Sequence, residues 1–167
     1  MTLLVNWMKI IDGAKVAIEG SKVTVSGAKG TLVRDFASPD LKIALSGGEI
    51  TAKGELAMVN TFEAHMINMM NGVVGCYSKK LKILYSHFPV YVEVKGKEIL
   101  IKNFIGEKQP RKAKIMGQTK VEAKGQEVSL TGPSKEEVGQ TFANIKSATK
   151  IRNRDSRVFQ DGFYQVE

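Results

Sequence analysis

One order of local patterns occurs twice along this chain, and few folds accommodate such a duplication. From Val16 to Ser26 apolar and polar residues alternate, rich in β-branched side chains and turned at Gly20-Ser21-Lys22, which predicts a β-hairpin. Gly27-Ala28-Lys29-Gly30 makes a second tight turn before Thr31-Leu32-Val33. Another hairpin reads from Leu41 to Leu45, through Ser46-Gly47-Gly48, to Glu49-Ile50-Thr51-Ala52. From Glu55 the period changes: Leu56, Val59, Phe62, Met66 and Met69 recur at steps of three and four, the stripe of an amphipathic helix that Gly72 should end. The methionines on or beside that stripe read as core filler.

The order then returns. Val90 to Ile101 repeats the first hairpin, Asn103-Phe104-Ile105-Gly106 takes the place of the glycine turn, and Thr119-Ala123 with Glu127-Gly132 repeats the second hairpin around Lys124-Gly125-Gln126. Val121 to Gly132 aligns with Ile43 to Gly54 without a gap. Pro133-Ser134 opens a second helix with Glu136 and Glu137 in its first turn, where carboxylates suit the positive end of the dipole. Val138, Phe142, Ile145 and Ala148 or Thr149 form its predicted apolar face. The fold class is therefore α+β: two tandem copies of a small antiparallel-sheet domain with one packed helix, residues 1–84 and 85–167, joined near Tyr85 to Pro89.

A cationic return follows each helix. In the first, Gly72 to Leu84, the apolar Leu81, Ile83 and Tyr85 alternate with Lys82 as in a strand whose lysines face water. The second is denser: Lys150, Arg152, Arg154 and Arg157 place four cations within eight residues, on a segment with no helical stripe. Arginine forks bidentately to phosphate, and Asn153 and Ser156 can add neutral hydrogen bonds to sugar or phosphate oxygens. A charge run can equally be a solvated tail. Phe159, Phe163, Tyr164 and the Asp161-Gly162 turn pair point instead to a docked chain end. A further cationic stretch, Lys108 to Lys114, reads as a loop between the second copy's hairpins, and Arg111, Lys112 and Lys114 are its candidate anion contacts beside the plainer reading of a solvated loop.

Charge supports an anionic partner. The net charge is +8 with a sequence pI near 9.5, and the second half carries more of it, 15 basic against 10 acidic residues from position 85 onward. The single cysteine, Cys76, excludes an internal disulfide and the usual cysteine-based zinc sites, so a reducing, cytoplasmic setting is expected. Leu3-Leu4-Val5 is too short an apolar run for a membrane span or signal.

Three runs carry a resemblance: Tyr85-Ser86-His87-Phe88-Pro89-Val90, Lys102-Asn103-Phe104-Ile105-Gly106-Glu107-Lys108, and Ile151 through Tyr164. Together they resemble the large-subunit ribosomal protein L-six family in its archaeal and eukaryotic form, called L-nine in eukaryotes, over nearly the whole chain from about Ile11. Two positions depart from that family's usual pattern: Asp12 stands where a proline is common, and Ala28 replaces the proline of the Gly-Pro-Lys-Gly turn. The resemblance implies a duplicated α+β fold and a structural, non-enzymatic role on the ribosome. It also implies binding of large-subunit rRNA, mainly through the C-terminal domain near the sarcin-ricin loop where translation factors dock. Carried over by position, Lys150, Arg152, Asn153, Arg154 and Arg157 fall in the rRNA-contacting segment. The expected partners are large-subunit rRNA and neighbouring ribosomal proteins, with the chain a monomer within the ribosome and no membrane association or cofactor.

The alternative is a free-standing basic nucleic-acid-binding module or a small enzyme with an unrecognised site. No Gly-x-Ser-x-Gly elbow, Walker-type loop or His-Glu-x-x-His supports the latter. Gly27-Ala28-Lys29-Gly30 and Gly72-Val73-Val74-Gly75 fit the Gly-x-x-Gly of KH domains, but neither joins two predicted helices, so both read as turn glycines.

Overall fold

The computed structural model describes residues 3–38, 41–46, 48–155 and 157–166; Gly47 and Ser156, both named above, lie outside the described residues. The chain forms two compact units whose main division along the sequence falls between Cys76 and Tyr77, with the short stretch Pro133–Lys135 grouped with the first. In the first, β1 (Leu3–Lys9), β2 (Lys15–Glu19), β3 (Lys22–Gly27), β4 (Gly30–Asp35), β5 (Leu41–Ser46) and β6 (Glu49–Glu55) precede α1 (Leu56–Gly75). They make two antiparallel sheets, β2-β3-β4 and β1-β6-β5. In the second, β7 (Tyr77–Leu84), β8 (Tyr91–Lys95), β9 (Glu98–Lys102), β10 (Arg111–Lys114), β11 (Lys120–Lys124) and β12 (Glu127–Gly132) precede α2 (Lys135–Ala148) and β13 (Gly162–Val166). Their sheets are β8-β9-β10 and β11-β12-β7-β13.

The duplication extends to strand register. Ile43 faces Ala52 across β5 and β6 as Val121 faces Leu130 across β11 and β12, so the gapless alignment is also a structural equivalence. Both leading hairpins turn through a glycine of positive φ, Gly20 at +64° and Gly96 at +58°, a conformation that costs any residue with a Cβ. Each unit has its own core. Val23, Val25, Ile50, Val59, Phe62 and Met66 pack in the first, and Ile99, Ile101, Leu81, Val128, Leu130, Val138 and Ile145 in the second. Burying each such side chain contributes about 1.5 to 3 kcal/mol.

Several sequence expectations change. The boundary drawn at 84/85 moves back to 76/77, because Tyr77–Leu84 pairs with β12 and β13 and buries Leu81 and Ile83 in the second core. The stretch after α1 is therefore the opening strand of the second copy, equivalent to β1: Lys82 faces Glu127 as Lys9 faces Glu49. Arg111–Lys114 is a strand paired with β9, not a loop. Its lysines alternate with Ala113, which is buried, and a lone small apolar residue among charges is a weak strand signal. The inward face of α2 holds the predicted Val138 and Ile145 with Phe142 half-buried against the same core, and adds the fully buried Thr141. Thr141 satisfies itself there, its Oγ1 donating to the Glu137 carbonyl (2.8 Å) and accepting the Met116 N–H (3.0 Å). Finally, α1 runs past Gly72 to Gly75, and Cys76, at φ +55°, is the terminating residue, its N–H bonded to the Gly72 carbonyl at 3.0 Å.

The glycines of the Gly27–Gly30 turn are explained by packing. The Lys29 N–H bonds the Val73 carbonyl at 2.9 Å, and a Cβ on Gly27 would sit 2.8 Å from both that oxygen and Val73 Cγ2. Gly27→Ala is expected to destabilise the first unit by about 1 to 3 kcal/mol, the usual range for overpacking, as read by chemical denaturation.

Candidate nucleic-acid interface

The basic segment leaves α2 at Lys150 and reaches β13 at Gly162, and both of its ends are fastened. At the start, Arg111 on β10 donates through Nη1 to the carbonyls of Ala148 (2.9 Å) and Lys150 (3.1 Å). The same guanidinium forks onto Glu107, Nε to Oε2 at 2.7 Å and Nη2 to Oε1 at 2.6 Å, and lies 4.6 Å from the centre of the Phe104 ring. Hydrogen bonding to Arg111 holds the Glu107 carboxyl below its ordinary range against the opposing effect of burial, with Arg154 adding attraction. Arg111 thus directs four of its five N–H donors to groups inside the protein. It anchors the segment.

The turn that presents Glu107 is itself constrained. Asn103 and Ile105 have φ of +58° and +52°, and the latter is a strained conformation for a β-branched side chain. Phe104 is buried to 1% exposure beneath the turn, and Asn103 Nδ2 donates to the Pro89 carbonyl at 3.0 Å. Local strain here is offset by packing.

At the other end the fastening is a buried carboxylate. Asp161, 6% exposed, accepts the Ser86 N–H (2.6 Å) and hydroxyl (3.0 Å) on Oδ1 and His87 Nδ1–H (3.0 Å) on Oδ2. Burial pushes this carboxyl's pKa up, but the Ser86 N–H, the His87 ring and the Ser86 hydroxyl together outweigh it, and the group sits below its usual range. The His87 ring stacks on Phe159 with centroids 4.8 Å apart and planes 24° apart, and the Arg154 guanidinium covers the same phenyl ring at 4.7 Å. Phe159, Asp161 and the linker residues therefore clamp the segment to its own unit.

Between these anchors the chain arcs outward. Asn153 turns it through φ +58°, a left-handed conformation that asparagine tolerates. The Asp155 carboxylate accepts the Arg157 N–H at 2.9 Å, and the Asp155 carbonyl accepts the Phe159 N–H at 2.9 Å, closing a local turn. Lys150, Arg152, Asn153, Arg154 and Arg157 are all exposed along the arc. Lys112 and Lys114 project from β10 into a shallow polar groove that Asn144 and Ser147 of α2 also line. Of the expected site residues, five lie along the arc, and Lys112 and Lys114 share β10 with Arg111, which fastens the start of the arc. A cationic cluster escaped the sequence reading: Lys79 and Lys146 lie 4.5 and 5.6 Å from the centre of the half-buried Phe142 ring. Its only sequence signal was the four-residue spacing of Phe142 and Lys146.

The three runs singled out in the sequence, 85–90, 102–108 and 151–164, converge here. The first supplies Ser86 and His87, which hold Asp161, the second Glu107, which holds Arg111, and the third the arc together with Asp161. Among the described residues no helix is long and apolar enough to cross a membrane.

The chain is similar in sequence to known proteins. Residues 88–162 match the family described as ribosomal protein L6. A protein of Methanosarcina mazei called large ribosomal subunit protein uL6 is 44% identical over 166 residues, covering 96% of this chain and 94% of its own. Proteins of the same name from Methanosphaera stadtmanae and Methanococcus vannielii are 48% and 44% identical, over 82% and 81% of this chain and 72% and 78% of theirs.

Proposed function

Because this chain belongs to the ribosomal protein L6 family, we propose that it is a structural constituent of the large ribosomal subunit. On this reading it holds rRNA chiefly through the arc from Lys150 to Arg157, with Lys112 and Lys114 beside it. The observation that carries the reading is the arc itself: a dense set of exposed cations on a segment fastened at both ends by internal anchors. Such an arrangement is preorganised for phosphates, so little ordering cost falls on binding. Arg111 and Asp161 position the arc without themselves meeting the RNA. Binding near the sarcin-ricin loop, where translation factors dock, is the finer placement we adopt from the resemblance.

Recognition should rest on shape, phosphates and 2′-hydroxyls, since the deep groove of an A-form helix hides its base edges from side chains. Swapping Watson–Crick pairs in the target's helices while preserving its fold is expected to change affinity little. Losses above roughly 3 kcal/mol per swapped pair would contradict this. The assignment as a whole is tested by sedimentation: the protein should travel with large subunits at low salt and leave them at high salt, and a purely soluble pool would overturn it.

A further inference from the structure

The first unit's sheet stops one strand short of the second's. In the second unit β7 is flanked by β12 and β13; in the first, β1 holds the equivalent place beside β6, and no described strand pairs with its other edge. Burial records the difference. Leu81 and Ile83 on β7 are 0% and 1% exposed, whereas Met8 and Ile10, which the shared register places in their positions, are only half-buried. In the second unit Phe163 of β13, 4% exposed, lies directly across from Ile83.

An edge strand with open N–H and C=O groups is a template for further pairing, and proteins usually blunt it with proline or clustered charge. β1 has no proline and one charged residue, Lys9, while Val5 and Trp7 stand 45% and 64% exposed. We propose that this edge receives an extended segment of a neighbouring protein, which adds an antiparallel strand beside Trp7–Ile11 as β13 does beside Lys80–Leu84. The segment carries an aromatic or branched apolar side chain across from Ile10, where Phe163 is the internal precedent. It carries an acidic residue near Lys9, in keeping with the chain's net charge of +8. A second copy fits poorly, because pairing Trp7–Ile11 with itself about a two-fold axis would set Lys9 directly against Lys9. RNA fills neither an open backbone ladder nor an apolar slot.

This inference rests on residence in the large subunit, so its test uses subunits already shown to contain the protein; failure of that residence would appear earlier, as absence from them. Trp7 is replaced by a photocrosslinking phenylalanine derivative, and crosslinks are mapped in purified subunits. In parallel, amide exchange of unmodified β1 is compared between free protein and subunit. The expected result is a crosslink to one extended segment of another ribosomal protein, together with slowing of the outward β1 amides by at least about tenfold, the mark of a newly formed ladder. Crosslinks to rRNA or to a second copy would overturn the proposal, as would unchanged exchange of those amides.

Discussion

Replacing Arg152, Arg154 and Arg157 together with alanine is expected to weaken binding to the cognate rRNA fragment by at least about tenfold, or 1.4 kcal/mol, and to flatten its salt dependence. Removing one phosphate-bound cation takes about 0.7 to 1 from the slope of log affinity against log salt, so removing three takes roughly 2 to 3. The matched control replaces Lys22, Lys42 and Lys53, which are exposed on hairpin strands of the first unit and carry the same total charge. If both triple variants lose affinity and slope equally, only the overall field matters and the arc has no special part. Arg154 needs separate treatment, because its guanidinium also covers Phe159. Arg154→Lys retains the cation while losing the planar stack, so a fall in stability confined to the Arg154 variants would report the clamp rather than binding to phosphate. Circular dichroism of each variant establishes that it remains folded.

The second large effect should come from a residue that meets no RNA. Asp161→Ala leaves the Ser86 N–H and the His87 ring without their buried acceptor, and is expected to cost about 3 kcal/mol of stability in the second unit. It also removes an acid and so raises the net positive charge, which by itself would strengthen attraction to RNA. Affinity should nevertheless fall, by about tenfold, because the arc is no longer held. An unchanged or higher affinity would show that the clamp does not position the cations. Asp161→Asn, which keeps the shape and an acceptor, should recover part of both losses. The carboxyl's lowered pKa gives the pH dependence its sign. Its stabilisation is complete above the unfolded aspartate value near 4 and is lost as pH falls through the lower folded value, and the Asn variant should lack that portion of acid sensitivity.

Much of this architecture was legible in the residues, and the misses share physical causes. Hairpins and helices announce themselves through periods of two and of roughly three and a half, so the duplicated order could be read directly. The boundary could not, because an opening strand such as Tyr77–Leu84 has the same alternation whichever sheet it joins; only pairing with β12 and β13 decides it. Thr141 joins Phe142 on the inward face unannounced, because a buried hydroxyl satisfied by Glu137 and Met116 behaves as a core residue, which hydropathy does not register. The arc was visible as charge density, but charge alone does not separate a solvent-facing cation from an anchor. Arg111 and Lys112 look alike in sequence, and the difference lies in Glu107, Ala148 and Lys150, which come together only in the fold. Likewise the role of His87 became apparent only once Phe159 and Asp161 were beside it.

The claim that the second unit's arc and its adjoining strand hold the RNA is tested most directly by lysine reactivity. Free protein and its complex with the cognate rRNA fragment, with no other protein present, are acetylated briefly and compared residue by residue. Lys112, Lys114 and Lys150 should lose reactivity by at least about fivefold in the complex, the extent expected when a phosphate contact is occupied most of the time, while Lys22, Lys42 and Lys53 keep theirs. Protection of the two sets to the same extent, or of the first-unit lysines alone, would contradict it.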